Sequence, residues 1–379
     1  MNIDICIKNG RVVDPYTGMD QVADIAVSNG RIVPSVPGAT CGNIIDASGC
    51  FVFPGLIDFH AHVFRGGSAV SVRPEYLLAT GVTSCVDAGT AGPCNFEAFY
   101  RNTVIPSQVR IKSYLNMYSY GQPDYGINEW FAVEAFQPDK IRRLAEQYRD
   151  NILGLKIRMS EGVAADRSAL DFTVKLAEEL GIGVCVHVSK PLYSLAEMAG
   201  QLRAGDIFCH VYQDVGRDNI FDNQGRVKQE ILDARSRGVI FDAANGKMNF
   251  NIKACQRATS QGFWPDVISS DWLSDKYNVS PYTKNLMFIV SKYLKLGMPL
   301  MDALACVTST PARLMGMEGK IGTLQEGAAA DISIFRTVKK RARHLDFDGN
   351  EFETDELFVP QMVICGGEFA FCQADFALC

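Results

Sequence analysis

The stretch that decides the fold is Pro54-Gly55-Leu56-Ile57-Asp58-Phe59-His60-Ala61-His62. It predicts a short apolar strand, Ile57–Val63, that carries two histidines near its end. Because residues i and i+2 of a strand face the same side, both imidazoles would point together and could bind one metal ion. Such a pair is only moderately specific by itself, since it also arises by chance on a strand that faces water.

Outward from this strand, residues 54–318 alternate between short apolar strands and amphipathic helices, which is typical of βα units around a parallel sheet. Glycines follow several predicted helices, as expected of left-handed helix ends; these helices are Ser168–Leu180, Gln229–Arg237 and Tyr282–Leu296. Eight strands in this length predict an α/β fold of the (β/α)8 TIM barrel type, which usually needs roughly 250 residues. The predicted strands are Ile57–Val63, Val82–Ala88, Ile111–Met117, Ile152–Met159, Gly183–Val188, Asp206–Val211, Val239–Ala243 and Val267–Asp271.

The two flanks, residues 1–53 and 319–379, contain short strands separated by turns. Asn9-Gly10 and Asn29-Gly30 lie between apolar stretches and predict hairpins. Neither flank is long enough to be comfortable alone, so we expect both to form one composite β-sandwich domain beside a catalytic barrel domain of residues 54–318. The predicted flank strands are Ile3–Lys8, Gln21–Val27, Arg31–Val33, Asn43–Asp46, Gly322–Leu324, Asp331–Phe335, Phe358–Ile364 and Glu368–Phe371.

The composition excludes several classes of protein. The chain has 379 residues, of which 47% are hydrophobic and 21% charged, so a sizeable core is expected and disorder is not. A net charge of −6 without a basic stripe argues against a nucleic-acid surface. No run approaches the length of about 18 apolar residues that would predict a membrane span. The one basic cluster, Lys339–Arg341 with Arg343, lies among acidic residues and is interpreted as a solvated loop.

Twelve cysteines are scattered along the chain without a C-x-x-C pair. A chain of this length does not need disulfides, and its start lacks the basic and apolar segments of a secretory signal. We therefore expect reduced thiols and a cytoplasmic location. The expected partners are a small-molecule substrate and further copies of the same chain, without nucleic acid or membrane.

Four more residues that could take part in chemistry belong to later barrel strands: Lys156 lies inside the fourth, and the fifth, sixth and eighth end with His187, His210 and Asp271. Active sites of such barrels lie at the C-terminal ends of the strands, so these side chains are expected to meet His60 and His62. A lone histidine on an apolar strand is usually a core residue, and a lone acid after a strand is usually a helix cap. Histidines at the ends of two consecutive strands favour ligands instead.

Lys156 has two interpretations. It is either a lysine that reaches the barrel mouth or an amine whose pKa burial lowers, which would make it nucleophilic. Four imidazoles, one lysine and one carboxylate suit Zn²⁺, although Mn²⁺, Fe²⁺ or Co²⁺ also fit. Such a site with open positions lowers the pKa of bound water towards roughly 7 and polarises a carbonyl, so the pattern indicates hydrolysis.

These residues resemble the amidohydrolase superfamily, in the binuclear subtype of dihydroorotases, hydantoinases and phosphotriesterases. The motif at residues 54–62 is the most specific sign, and Thr310-Pro311-Ala312-Arg313 and the segment 327–332 extend the resemblance over essentially the whole chain. The resemblance implies two divalent ions, zinc foremost, and a carbamate that CO2 forms on Lys156 and that bridges them. It places His60, His62 and Asp271 on the first ion and His187 and His210 on the second. Asp271 would also act as general base towards a metal-bridging hydroxide.

Within the superfamily the chain looks most like the amidohydrolase/deacetylase group, whose members are often named dihydroorotases or adenine deaminases. Val86-Asp87-Ala88-Gly89-Thr90-Ala91-Gly92 and Leu155-Lys156-Ile157-Arg158 carry this likeness. Where such relatives tend to have Asp-x-Gly-His-Gly, this chain has Asp242-Ala243-Ala244-Asn245-Gly246, so its substrate can differ. The absent histidine is not a metal ligand, and the resemblance still implies hydrolysis.

Substrate recognition has few sequence signals. Arg158 could clamp a substrate carboxylate or form a structural ion pair in the barrel mouth, and Asn245 is a second candidate contact. The loop after the third strand contains aromatic residues that could wall a pocket or pack on a helix or another subunit: Tyr118, Tyr120, Tyr125 and Trp130. Asp58 is expected to support the site or the barrel packing, and His344 is expected to be solvated.

The leading hypothesis is a metal-dependent hydrolase of an amide or ester bond, in particular a deacetylase of a small N-acyl or O-acyl acid. The alternative is a cyclic amidase of the dihydroorotase or hydantoinase type. A deaminase is less favoured, because single-metal deaminase barrels lack the lysine bridge. An inactive scaffold is less favoured, because all six ligand positions are filled.

Overall fold

The computed structural model describes residues 3–35, 40–124, 126–127, 129–272 and 283–376. In chain order its strands are β1 Ile3–Asp14, β2 Met19–Ser28, β3 Arg31–Val33, β4 Cys41–Asp46, β5 Phe51–Pro54, β6 Leu56–Ala61, β7 Val82–Asp87, β8 Arg110–Asn116, β9 Ile152–Arg158, β10 Gly183–His187, β11 Ile207–Cys209, β12 Ile240–Asp242, β13 Ile332–Leu345, β14 Glu351–Cys365 and β15 Glu368–Cys372. Its α-helices are α1 Glu75–Leu78, α2 Phe96–Phe99, α3 Pro138–Gln147, α4 Ser168–Leu180, α5 Leu195–Gln201, α6 Gln229–Ser236, α7 Ile252–Thr259, α8 Leu286–Lys295, α9 Leu300–Ala305 and α10 Ser309–Leu314.

Strands β6 to β12 form a parallel sheet in sequential order, and the predicted barrel with a smaller β unit from both flanks is confirmed. The eighth predicted strand is present only as isolated bridges, which join Asp242 to Val267 and Ala61 to Trp272. These bridges connect β12 to β6 and close the ring of strands. The predicted helix Tyr282–Leu296 begins at Leu286 within the described residues, and Tyr282 itself lies outside them.

The barrel strands are buried on both faces because each face packs against protein. Every residue of β6 and β7 is buried, as expected where helices cover a parallel sheet. One apolar cluster fills the space between strands and helices, and a second, which includes Ile57, Tyr114 and Cys185, lies among the strands themselves and packs on α10. The C-terminal ends of the strands are left free of this packing and carry the polar groups.

The flanks form one mixed sheet in the order β15-β14-β13-β5-β1-β2-β3, with β4 paired to β1. The Asn29-Gly30 hairpin is confirmed, because Ser28 pairs with Arg31. The Asn9-Gly10 hairpin is wrong: β1 runs through both residues with a bulge, in which Asn9 takes a φ of 63°. The predicted strand at 322–324 is also absent, since Gly322 and Thr323 form a bend and Leu324 has no regular structure.

The C-terminal hairpin corrects the interpretation of the basic cluster as a loop. Residues 339–343 belong to β13, which pairs with β14 over most of its length. Arg341 and Arg343 are exposed, whereas Ala342 and His344 between and after them are buried. His344 is therefore a core residue and not a solvated one.

Two further observations concern the environment of the chain. A disulfide joins Cys6 to Cys41, so the expectation of fully reduced thiols is wrong for this pair. In the described part of the chain, no helix is both long and apolar enough to cross a membrane.

Candidate metal centre

The six predicted ligands converge at the C-terminal ends of the barrel strands. His60 lies in β6 and His62 just beyond it, Lys156 lies in β9, and His187 ends β10. His210 follows β11 directly, and Asp271 lies in the eighth segment, where its amide donates to the carbonyl of His60 at 2.7 Å. All six side chains are buried or nearly so.

The first group consists of His60, His62 and Asp271. Asp271 Oδ1 lies 3.3 Å from His62 Nε2 and 3.6 Å from His60 Nε2. One ligand atom from each of these residues lies within 4.8 Å of the others, so the three could hold one ion. The opposite ring nitrogens are fixed from behind: His60 Nδ1 lies 3.1 Å from Asp242 Oδ2, and His62 Nδ1 lies 2.8 Å from Thr90 Oγ1. Such outer contacts orient metal-binding imidazoles.

The second group consists of His187 and His210, whose ring centroids are 4.3 Å apart. His210 also lies 5.1 Å from His60 by ring centroids, so the two groups adjoin. His210 Nδ1 lies 2.9 Å from the carbonyl oxygen of Ala244 and must donate to it, because that oxygen only accepts. His210 Nε2 is then left with its lone pair, buried and without a hydrogen-bond partner. A buried polar atom of this kind normally has a partner, and a metal ion would supply one.

The electrostatics give His60, His187, His210 and Asp271 the protonation states that metal binding requires. Burial holds the pKa of His60 and of His187 well below the ordinary value and lowers the pKa of His210 to about 3. Burial alone would raise the pKa of Asp271, but the hydrogen bond from His62 and the neighbouring imidazoles hold it well below its ordinary value. Neutral imidazoles and an ionised carboxylate are the forms that coordinate a divalent ion.

Lys156 lies among the same groups. Its Nζ is 3.4 Å from Cys185 Sγ and 3.9 Å from Cys209 Sγ. Burial lowers its pKa, but the two sulfurs and Asp271 outweigh burial, so the pKa lies above the ordinary value. Of the two interpretations of Lys156, this favours the ammonium over the neutral amine in the metal-free chain. Gly89 gives the lysine its space, because a Cβ there would lie 2.6 Å from Lys156 Cβ and Cγ.

The backbone is unusual at the same rim. Six described non-glycine residues have a positive φ, and four of them, Lys190, His210, Ala244 and Asp271, follow barrel strands. The other two, Asn9 and Asn29, are asparagines in a bulge and a turn, where this conformation is common. Strained backbone tends to gather at functional sites. Gly246 lies so close to the site that only glycine fits, because a Cβ there would lie 1.9 Å from Asp271 Oδ2.

The sequence did not indicate the role of several residues that contact the predicted ligands. Asn249 Nδ2 donates to Asp271 Oδ2 at 2.9 Å, and Asp242 supports His60. Asp58, expected as a supporting residue, accepts from the amide of Ser270 at 3.0 Å and so ties β6 to the eighth segment. Its burial raises its pKa to about 7. Asp242 and Asn249 lie at or after the end of β12, and this position was their only signal.

The predicted substrate contacts have partners within the chain. Arg158 pairs with Glu129, which is buried and also accepts from Asn116 Nδ2 at 3.1 Å, yet Arg158 Nε has no partner. Asn245 donates to the carbonyl of Ser269 and accepts from Lys292 Nζ at 2.8 Å, so its amide holds the loop after β12 in place. Substrate binding by either residue stays a prediction.

The aromatic residues in the loop after β8 differ in their exposure. Tyr118 is half-buried and packs near Phe131, whereas Tyr120 and Trp130 are exposed. Tyr125 lies outside the described residues. The structure thus supports the packing interpretation for Tyr118 and leaves the pocket-wall role of Tyr120 and Trp130 as a prediction.

Comparison with known proteins settles the family. The sequence profile of the amidohydrolase family matches residues 51–370. The chain belongs to the amidohydrolase family. This amidohydrolase is 29% identical to a deacetylase of Agrobacterium fabrum over 86% of its own length and 80% of the relative.

Solved structures agree with this placement. A dihydroorotase crystal structure superposes with a TM-score of 0.85 at 27% identity, covering 97% of this amidohydrolase and 98% of that chain. An adenine deaminase crystal structure gives a TM-score of 0.88 at 25% identity, covering 98% and 100%. The chain is therefore an enzyme that hydrolyses carbon–nitrogen bonds, acts on small molecules and has a side-chain cluster able to hold metal.

Proposed function

We propose that this amidohydrolase is a metal-dependent deacetylase of a small N-acyl or O-acyl acid. The observation that carries the proposal is the ligand set itself: an ionised Asp271 between two imidazoles, beside a buried His210 Nε2 that lacks a partner. The likeness to a relative named deacetylase over most of both chains supports the choice of acyl group.

In this proposal His60, His62 and Asp271 hold one divalent ion, and His187 and His210 hold the other. We take zinc as the metal, because imidazole and carboxylate ligands suit it. Lys156 would bridge the two ions after its amine nitrogen attacks CO2 and loses a proton to form a carbamate. The ammonium favoured in the metal-free chain must first deprotonate, and two adjacent cations would favour that change as well as the anionic product.

Metal ions bound there would lower the pKa of water and polarise the scissile carbonyl. The protein supplies proton transfer. Asp271 accepts a proton from the attacking water at its carboxylate and returns it to the leaving nitrogen or oxygen. Asn249 holds Oδ2 of that carboxylate at 2.9 Å, so Asn249 orients the general base. The described histidines cannot replace it in this proposal, because the rim imidazoles are ligands and His344 lies in the hairpin.

Arg158 is the proposed contact for the substrate carboxylate. Its side chain is partly exposed, and Glu129 holds one of its terminal nitrogens. The exposed part of the guanidinium is what an incoming carboxylate would meet, whereas Nε is buried without a partner. We assign catalysis to residues 54–318 and a supporting role to the composite sheet unit of residues 1–53 and 319–379. A cytoplasmic location and a homo-oligomeric state stay predictions from the sequence.

The experiment that tests this proposal is a substrate panel on the zinc-loaded enzyme. N-acetyl and O-acetyl amino acids are compared with dihydroorotate, hydantoin and adenine. Released acetate measures deacetylation, the open-chain carboxylic acid measures ring hydrolysis, and released ammonia measures deamination. We expect acetate from one class of acetylated acid. Hydrolysis of the rings alone would establish the cyclic amidase instead. The similarity to a dihydroorotase structure favours this second candidate.

A further inference from the structure

A buried lysine in helix α8 lies outside the proposed catalytic set. Lys292 is only 5% exposed, whereas lysines are almost never fully buried unless they are paired. Its Nζ donates to Asn245 Oδ1 at 2.8 Å and lies 3.9 Å from the centroid of the Phe250 ring, and it forms no ion pair with the described residues. Burial lowers the pKa of Lys292 to about 8, so the ammonium still predominates at neutral pH. An amide oxygen and an aromatic ring are therefore the nearest groups that compensate a costly buried charge.

Asn245 connects this lysine to the metal centre through a single peptide unit. The carbonyl of Ala244 and the amide N–H of Asn245 belong to the same planar group, so neither can turn without the other. The carbonyl accepts from His210 Nδ1 at 2.9 Å, and the amide donates to the carbonyl oxygen of Ser269 at 3.0 Å. The orientation of this peptide therefore decides which nitrogen of His210 keeps its lone pair for a metal ion.

The backbone at this peptide is strained and depends on its surroundings. Ala244 has a φ of 36°, in the left-handed region that residues with a Cβ avoid, and such backbone persists only where neighbouring contacts hold it. The Asn245 side chain provides two of these contacts: Nδ2 donates to the carbonyl of Ser269 at 3.1 Å, and Oδ1 accepts from Lys292. Tyr293 Oη also faces Oδ1, but at 3.4 Å it is the weaker donor. Lys292 is therefore the main donor that fixes the Asn245 amide.

We propose that Lys292 is a positioning residue of the metal centre, which acts through Asn245 on the imidazole of His210. The ammonium holds the Asn245 amide, the amide holds the peptide between Ala244 and Asn245 against the eighth segment, and the peptide carbonyl keeps the proton of His210 on Nδ1. The lone pair of His210 Nε2 is thereby left for the second ion. The inference rests on the proposed pair of metal ions, but not on the identity of the substrate.

The first test measures zinc affinity. Lys292→Met removes the charge and the donor but keeps an unbranched side chain. We expect the affinity for the second zinc ion to fall by about 10- to 100-fold, the usual effect of losing a contact behind a ligand, with the first ion unaffected. Competition with a chromophoric chelator measures both affinities. The matched control is Lys295→Met on the same helix, which removes an exposed pair with Asp355 and should change neither affinity.

The second test observes the His210 ring in the metal-free protein. The chain has five histidines, so a nitrogen-15 NMR spectrum of protein with labelled histidine can be assigned, and His210→Gln identifies the signal. We expect the proton of His210 on Nδ1 in the wild type and a mixture of the two tautomers in Lys292→Met. Asn245→Ala should also give a mixture, and adding Lys292→Met to it should change nothing more, because both substitutions break one chain of contacts.

The two tests separate a positioning role from a merely structural one. A His210 tautomer and a second zinc affinity that are both unchanged in Lys292→Met would overturn the proposal, and so would equal losses of affinity for both ions. If Lys292→Met did not fold, an unchanged tautomer in Asn245→Ala would overturn it instead. An enzyme that fails every acetylated substrate leaves both readouts intact. A wild type that binds a single zinc ion would contradict the metal pair, and the tautomer would still decide the role of Lys292.

Discussion

Histidines are buried in two regions of this amidohydrolase, and the regions differ in what surrounds the imidazole. At the barrel rim, His60 and His62 flank Asp271, and His210 has a buried nitrogen without a partner. In the C-terminal hairpin, His344 stacks on Phe288 at 3.9 Å and lies 3.2 Å from the hydroxyl oxygen of Thr354. Burial lowers the pKa of His344 to about 2, much as it lowers the pKa of the rim histidines.

The difference teaches that a neutral, buried imidazole is not sufficient for a metal site. Hairpin and rim share the low pKa and even the buried nitrogen without a partner, because His344 Nδ1 lacks one as well. Only the rim adds a carboxylate and further imidazoles within bonding distance of one point. The carboxylate is therefore the feature to remove first.

Asp271→Asn should have the largest effect. The amide keeps the shape but can neither accept the proton nor supply the negative charge to a metal, so we expect kcat to fall by about 10³-fold or more. Steady-state hydrolysis of the best acetylated substrate measures this. The matched hairpin variant, His344→Gln, should keep kcat within about twofold. If Asp271→Asn retained a tenth of the activity, the role of Asp271 as general base and metal ligand would be contradicted.

Lys156→Ala should come next. Without the bridging carbamate the second ion loses a ligand, so we expect the metal content to fall from about two ions per chain to about one and kcat to fall by about 100-fold. Elemental analysis after removal of loosely bound metal gives the content. Added formate or acetate should restore part of the activity by replacing the bridge. Two ions retained by the variant would exclude a bridging role.

Arg158→Gln should act on binding rather than on chemistry. Loss of a charge-assisted contact of about 1.5–3 kcal/mol would raise KM for a carboxylate-bearing substrate by about 10- to 150-fold, with little change for its neutral amide. The matched control is Arg343→Gln, which breaks the exposed hairpin pair with Glu351 and should change neither KM. An equal rise for acid and amide would mean that Arg158 has only a structural role.

His344→Gln should show the smallest effect, and it concerns stability alone. The pKa of the native His344 lies far below that of the unfolded chain, so the unfolded state binds the extra proton between about pH 6.5 and 2. Stability should therefore fall as the pH drops below about 6.5, by up to about 1.4 kcal/mol per pH unit from this residue. The variant should flatten this slope.

Urea unfolding of the zinc-loaded enzyme at several pH values between 5 and 7 measures the slope. Bound zinc keeps the rim histidines from titrating in the native state in both proteins, so the difference isolates the hairpin. Identical slopes in wild type and variant would contradict the burial of His344.

The ligands at the barrel rim could be predicted because strand periodicity shows which residues end each strand, and barrel geometry brings these ends together. His60, His187 and His210 each sit near a strand end, and parallel strands bring their C-terminal ends to one rim. The hairpin could not be predicted as easily, because Lys339–Arg343 is rich in charge and resembles a loop. The signal was the alternation of Arg341 and Arg343 with Ala342 and His344, which is typical of a strand with one buried face.

Other features depend on contacts between distant residues. Glu129 lies in an irregular segment, where no periodicity marks it, and gains its meaning only from Arg158 and Asn116. The pKa of Lys156 is set against the effect of burial by Cys185 and Cys209, which come from two other strands. A single sequence places these residues on their strands but does not say which side chains touch.

The mixed sheet also has a consequence for biosynthesis. Phe51–Pro54 of β5 pairs with Ile332–Phe335 of β13. The strand that leads into the barrel therefore cannot complete its pairing until β13, one of the last segments to be synthesised, has left the ribosome. Until then β5 presents an unpaired edge, which is open to association with other chains. During synthesis the nascent enzyme is therefore expected to depend on chaperones that cover this edge, and slowing translation near the 3′ end of the message should increase aggregation.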